Sequence, residues 1–176
     1  MKYLLEGHET ERLFFRRIDQ LDFNDWLKFF QDPLTSVHWI EEKFSPEVDC
    51  KKWYQKQLSR YENNRGGMNA LIERESGRLI GHCGLLIQTV DGITELEIGY
   101  SLLPEFWNKG YAFEAASRCK DYAFQNNFSE SLISIISITN LPSQKVALKN
   151  GMVIQKETIY NQNKVYIFRI WKALIG

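Results

Sequence analysis

A mixed α/β (α+β) domain organised around a central, largely antiparallel sheet is the fold class this sequence predicts, on three observations. First, ALIERE, RLIGHCGLLIQTV and ITELEIGYSLL are apolar-rich runs separated only by Ser76-Gly77 and Asp91-Gly92. An Asp-Gly pair between such runs signals a hairpin, because both residues tolerate the positive φ its turn requires. Second, the segments before and after this meander switch to the 3.6-residue apolar period of helices. Third, MVIQKETIY and KVYIFRIWKAL close the chain around Asn161-Gln162-Asn163, another hairpin.

The elements follow in order. RLFFRR, residues 12–17, reads as a short first strand. DFNDWLKFFQD, residues 22–32, places Phe23, Trp26, Leu27 and Phe30 on one helical stripe and stops before Pro33. Ser45-Pro46-Glu47 supplies an N-cap, a proline at the first helical position and a first-turn acid, opening a helix to about Asn63. The three-strand meander comes next, then a helix over residues 110–126. ESLISIISI is β-branched and reads as a strand; a helix follows from about Pro142 to Asn150, with Gly151 as its stop. The order is β, α, α, β, β, β, α, β, α, β, β. No repeat, low-complexity tract or linker divides residues 1–176, so one domain is expected, of a size that buries roughly two-thirds of its unfolded surface.

Bulk properties exclude several classes. Lys plus Arg equals Asp plus Glu at 22 each, so no overall field draws the chain to nucleic acid or an anionic membrane. The apolar run in MKYLLEGHETERLFF is too short for a signal peptide, and no later run approaches a membrane span. Cys50, Cys83 and Cys119 are odd in number, well separated and without a CxxC pair; His8, His38 and His82 lack ligand spacing. Neither a disulfide framework nor a metal is expected, and a reducing cytoplasm fits best.

The stretch LLPEFWNKGYAFEAASRCKDYAF carries the functional signal. Along Thr94–Leu103, alternation sets Leu96, Ile98, Tyr100 and Leu102 on one face and Glu95, Glu97, Gly99, Ser101 and Leu103 on the other. Pro104 cannot donate to a ladder, so pairing fails there or at a bulge just before it. A strand so released leaves N–H and C=O groups free for an extended, amide-containing ligand. Asn108-Lys109-Gly110-Tyr111-Ala112 then enters a helix whose first N–H groups and positive dipole end suit a phosphate. A ligand spanning both has amides at one end and a pyrophosphate at the other, the layout of coenzyme A. A P-loop and a Rossmann fingerprint both fail on glycine spacing. The plainer alternative is a glycine that only eases a strand-to-helix connection.

With these residues the sequence resembles the GNAT N-acetyltransferases, and within them the branch of ribosomal-protein alanine and serine N-acetyltransferases (RimJ/RimL type). ETERLFFRR, QDP, IGHCGL, ELEIGYSLLPEFWNKGYAFEAA and NLPSQKVALKNGM follow in family order over nearly the whole chain. The family's [QR]xxGx[GA] phosphate motif falls on Trp107 to Ala112, with Trp107 at the Gln/Arg position. The resemblance implies a splayed strand pair with helices on both faces, and acetyl-CoA as donor without a metal. It places the pantetheine arm on the backbone of Leu102 and Leu103, and the pyrophosphate on the turn of Trp107, Asn108, Lys109, Gly110, Tyr111 and Ala112. Asn140 would sit by the cofactor. Lys145 would either reach a CoA phosphate or remain a solvated helix lysine.

Acetyl transfer to an amine needs a base, donors for the developing oxyanion and a shared cleft for both reactants. Glu97 is the first candidate for the base and Glu95 the second. The helical tyrosine that returns a proton to the thiolate in many family members is replaced here by Ala147. The branch resemblance points instead to Ser143, which is alternatively a helix-start residue. Trp39, Glu41 and Glu42 lie in the segment that in this family shapes the acceptor side, or form a solvated acidic loop. Cys83 and Cys119 read as core residues, and His82 as a strand residue. The acceptor is a primary amine, at a protein N-terminus or on a small molecule such as a polyamine, amino acid or antibiotic. A non-catalytic acyl-CoA-binding module is the competing class. The protein is expected to be a monomer or a homodimer, and no nucleic-acid or membrane partner is expected.

Overall fold

The computed structural model describes residues 1–173. The predicted final strand ran to Leu174, and that residue lies outside the described span. The elements run β1 (Leu13–Arg17), α1 (Phe23–Gln31), α2 (Pro46–Glu62), β2 (Gly66–Glu73), β3 (Leu79–Val90), β4 (Ile93–Leu102), α3 (Tyr111–Gln125), β5 (Ser131–Ser137), α4 (Leu141–Lys149), β6 (Val153–Tyr160) and β7 (Asn163–Trp171). Type and order match the sequence reading throughout.

Local chemistry explains the boundaries. The Ser45 side chain accepts from the Val48 N–H with Pro46 at the first helical position, as its position before Pro46 predicts. Asp91 and Gly92 take φ of 49° and 78°, and Asn161 and Gln162 take 46° and 66°. Both pairs close two-residue hairpins, with Val90 opposite Ile93 and Tyr160 opposite Asn163. Strand β2 begins at Gly66, four residues before Ala70, where the run ALIERE places its start. A Cβ on Gly66 would stand 2.0 Å from the Leu85 carbonyl oxygen, so glycine here marks close strand packing.

The seven strands form one sheet in the order β1-β2-β3-β4-β5-β7-β6. Every pairing is antiparallel except β4 with β5. Consecutive residues of β3 report the two faces. The His82 ring lies against Trp26 of α1 and Trp53 of α2, while Cys83 Sγ meets Cys119 of α3 at 3.6 Å. Helices α1 and α2 therefore cover one face, and α3 packs on the other. Trp26, Phe15, Leu71, Ile80 and Leu85 are fully buried in the main core.

The fold positions function through one irregularity. Strands β4 and β5 register only at Glu97 opposite Ile133. Ser134 Oγ then donates to the Ile98 carbonyl at 2.8 Å, replacing a ladder bond with a side chain, and the strands part. Among the described residues no helix is long and apolar enough to cross a membrane.

Candidate active site

The Leu103 N–H donates to the Ile80 carbonyl at 2.9 Å, which fixes how β4 faces its neighbours. Antiparallel pairing alternates, so the odd-numbered residues of β4 bond to β3 and Tyr100 and Leu102 turn their backbones towards β5. Since β5 has already diverged, those two N–H groups face a gap. The Leu102 carbonyl is taken by the Trp107 indole N–H at 2.9 Å. The expectation that Leu103 also offers its backbone is corrected: its N–H bonds Ile80 and its carbonyl accepts from Phe106.

Beyond this gap, Pro104–Phe106 form a 3₁₀ turn and the chain enters α3 through Asn108 at φ 60° and Gly110 at φ 83°. Gly110 is the N-cap, and no side chain caps the helix. The N–H groups of Asn108, Lys109, Gly110, Tyr111 and Ala112 make no hydrogen bond to a described residue. Asn108, Lys109 and Gly110 are exposed, whereas Tyr111 is buried and its hydroxyl bonds Glu73. Open amides, the positive end of a helix dipole and a nearby lysine together form an anion cradle.

On the other side of the splay lies an open cleft of about 630 Å³. Glu97 lines it, with Oε2 accepting from Gln88 Nε2 at 2.8 Å. Burial raises the Glu97 carboxyl above the ordinary value of 4.5, against the opposing pull of Gln88, the Ile135 N–H, Arg60 and Lys56. A carboxylate tuned this way is a stronger base than a solvated one. The segment between α1 and α2 forms the outer wall. His38 Nδ1 lies 2.8 Å from Thr139 Oγ1, and the His38 carbonyl accepts from Asn163 Nδ2 at 3.1 Å. Trp39 packs against Phe29 and Phe30, and it lines the cleft with Glu41 and Glu42.

The remaining candidates divide. Asn140 caps α4, its Oδ1 accepting from the Ser143 N–H at 3.2 Å, and both residues line the cleft. The Ser143 carbonyl accepts from the Tyr100 hydroxyl at 2.8 Å, so Tyr100 spans the gap between β4 and α4. Sequence reasoning missed Tyr100, because alternation placed it with core residues; its need for a buried hydroxyl partner was the available signal. Gln88 was missed too, since nothing in its own run marks it. Lys145 is exposed on α4 and does not line the cleft. Glu95 is not brought to the cleft. Its carboxylate is gripped by both terminal nitrogens of Arg169, one bond measuring 3.0 Å, with side-chain exposures of 15% and 10%. His82 is fully buried, its pKa lowered to about 3 chiefly by burial, so it stays neutral in the core. All three cysteines are free and buried, and no group of metal-ligating side chains forms among the described residues.

A divergent parallel strand pair, an uncapped helix start and a half-buried carboxylate on a shared cleft fit an acyl-group transferase. The acetyltransferase (GNAT) domain family matches residues 12–153, and the chain belongs to that family; it is an acetyltransferase. The uncharacterised N-acetyltransferase YnaD of Bacillus subtilis is 31% identical over 81% of this chain and 80% of its own. The uncharacterised protein YkkB of the same organism is 37% identical over 92 residues, and this chain spans about half (53%) of its length. Among solved structures, an acetyltransferase from Agrobacterium tumefaciens superposes with a TM-score of 0.78 at 23% identity, over 97% of this chain and 96% of its own. A ribosomal-protein-S5-alanine acetyltransferase from Vibrio fischeri gives 0.73 at 18% identity, over 97% and 99%. A Vibrio cholerae spermidine N-acetyltransferase in complex with CoA and spermine gives 0.72 at 17% identity, over 93% and 97%. At these identities the superpositions show the fold.

Proposed function

We propose that the protein transfers an acetyl group from acetyl-CoA directly to a primary amine, with a protein or peptide N-terminus as acceptor. The observation that carries this reading is the continuity of two features. The unpaired Tyr100 and Leu102 amides run into the unpartnered amides of Asn108 to Ala112, the layout that a peptide-like arm ending in a diphosphate requires. The V. cholerae relative's complex with CoA supports the donor assignment by likeness of fold.

Each residue then has a task. The turn from Trp107 to Ala112 binds the diphosphate, and Leu102 with Tyr100 aligns the arm in the gap. Acetyl-CoA supplies a thioester as substrate. Glu97 takes a proton from the ammonium form of the acceptor, and the freed lone pair attacks the carbonyl carbon. The N–C bond forms, the C–S bond breaks and the thiolate departs, while the nitrogen, positively charged after attack, releases its second proton to become the neutral amide. The Ser143 hydroxyl is the candidate relay that gives its proton to sulfur while taking the proton released by nitrogen, so that no alkoxide is left behind. The Tyr100 phenol, raised by burial, stays protonated and serves as a hydrogen-bond donor rather than a titrating acid.

The acceptor side supports an N-terminus over a polycation. Glu41, Glu42 and Asp49 line the cleft together with Lys43, Lys52 and Lys56, a mixed set that suits the single ammonium of a peptide of mixed polarity better than a chain of amines. Thiol release from acetyl-CoA across a panel of peptides, spermidine and free amino acids tests this. Turnover greatest with peptides is the expected result; turnover confined to spermidine moves the acceptor class, and acetyl-CoA binding with no thiol release for any amine in the panel favours a non-catalytic module.

A further inference from the structure

We infer that Arg12 is a positioning residue for the phosphate turn, cancelling the charge of Glu114 and holding the Asn108–Ala112 amides open. This rests on the reading of that turn as the CoA diphosphate site. Glu114 lies in the first turn of α3. A carboxylate there competes with a phosphate for the same N–H groups and dipole.

The structure diverts that carboxylate backwards. Glu114 Oε1 accepts from Thr10 Oγ1 at 2.6 Å and from the Arg12 N–H at 2.9 Å; Oε2 accepts from Arg12 Nε at 2.7 Å. Burial alone would raise its pKa, but these bonds outweigh burial and hold it below the ordinary value, so Glu114 remains charged and needs its partner.

The same guanidinium braces the turn. Arg12 Nη1 donates to the Lys109 carbonyl at 2.8 Å, and its central carbon lies 4.1 Å from the centre of the Tyr111 ring. Arg12 Nη2 lies 3.3 Å from where a Cβ on Gly110 would stand. One side chain therefore neutralises the competing acid, fixes the carbonyl of Lys109 away from the ligand side and supports the ring of Tyr111. Only a planar fork with several donors does all three; a lysine supplies charge alone.

Calorimetric titration of the full chain with CoA, at low and at physiological salt, tests the inference on R12M, R12K, E114Q and R12M/E114Q. R12M is expected to bind about tenfold or more weakly, most strongly at low salt. R12K falls between R12M and wild type, and E114Q matches wild type or binds more tightly. R12M/E114Q recovers most of the R12M loss, a rescue that a purely structural role would not produce. Should R12M fail to fold by circular dichroism, R12K carries the test, with undiminished affinity overturning the inference. R12M binding like wild type, or a folded double variant no better than R12M, also overturns it while leaving the CoA site intact. Absence of CoA binding by the wild type overturns the site reading itself.

Discussion

Gln88 cannot turn its side-chain amide away from Glu97. Its Oε1 accepts from Arg60 Nη2 at 2.8 Å and from the Tyr160 hydroxyl at 3.2 Å, leaving Nε2 to donate to Glu97 Oε2 at 2.8 Å. Three strands and one helix thus converge on one carboxylate oxygen, and the orientation of the proposed base is inherited from their packing.

Glu97→Gln should lower kcat about 10²- to 10⁴-fold, the usual range for a general base, while CoA affinity stays unchanged. The acid limb of the wild-type rate profile should lie above pH 4.5, because burial raises this carboxyl, and should vanish in the variant. The effect of this substitution on stability is opposite to its effect on rate. A carboxyl with a raised folded pKa costs stability once ionised, so the variant should unfold at higher temperature than wild type near pH 7. The gain should fade as the pH falls through the raised folded value and be gone below the unfolded one.

Gln88→Leu removes the one side-chain hydrogen-bond donor to Glu97 among the described residues, a bond that opposes burial. The acid limb should move to higher pH, because the ionised form loses a hydrogen bond and its pKa rises further. Rate profiles over pH check this; an unmoved limb separates Gln88 from the base.

Gly110→Val should weaken CoA binding about tenfold or more without loss of the fold. Its φ of 83° is strained for a β-branched residue, and relieving that strain re-aims the amides that open α3. Calorimetry with CoA and circular dichroism check it together; unchanged affinity would reduce the turn to a connector.

Glu95→Ala should cost about 3 kcal/mol or more of stability, the usual consequence of stranding one partner of a buried ion pair, here Arg169. Folded enzyme should keep the wild-type pH profile. Chemical denaturation and rate profiles distinguish this from a role as base.

What was legible in the sequence was local. Ser45-Pro46, Asp91-Gly92 and Asn161-Gln162 specify their caps and turns with neighbouring residues, and the order of elements followed from them. The gap between β4 and β5 was partly legible through Pro104, but its start at Ser134 depends on a hydroxyl from a strand 36 residues away. Glu95 and Glu97 share a face and were indistinguishable by period. Arg169 separates them, and it lies 74 residues from Glu95. Tyr100 passed for a core residue because period assigns a face, whereas only the loss of a neighbouring strand turns that face into a cleft.

The central claim is that free amides of β4 and of the α3 entrance bind CoA. Backbone amide NMR during titration of the isotope-labelled protein with CoA tests it most directly. Saturable shifts should concentrate at Tyr100, Leu102 and Asn108 to Ala112, with little change at β1 or β6. Saturable binding that leaves those amides unmoved, or no binding at all, would contradict it.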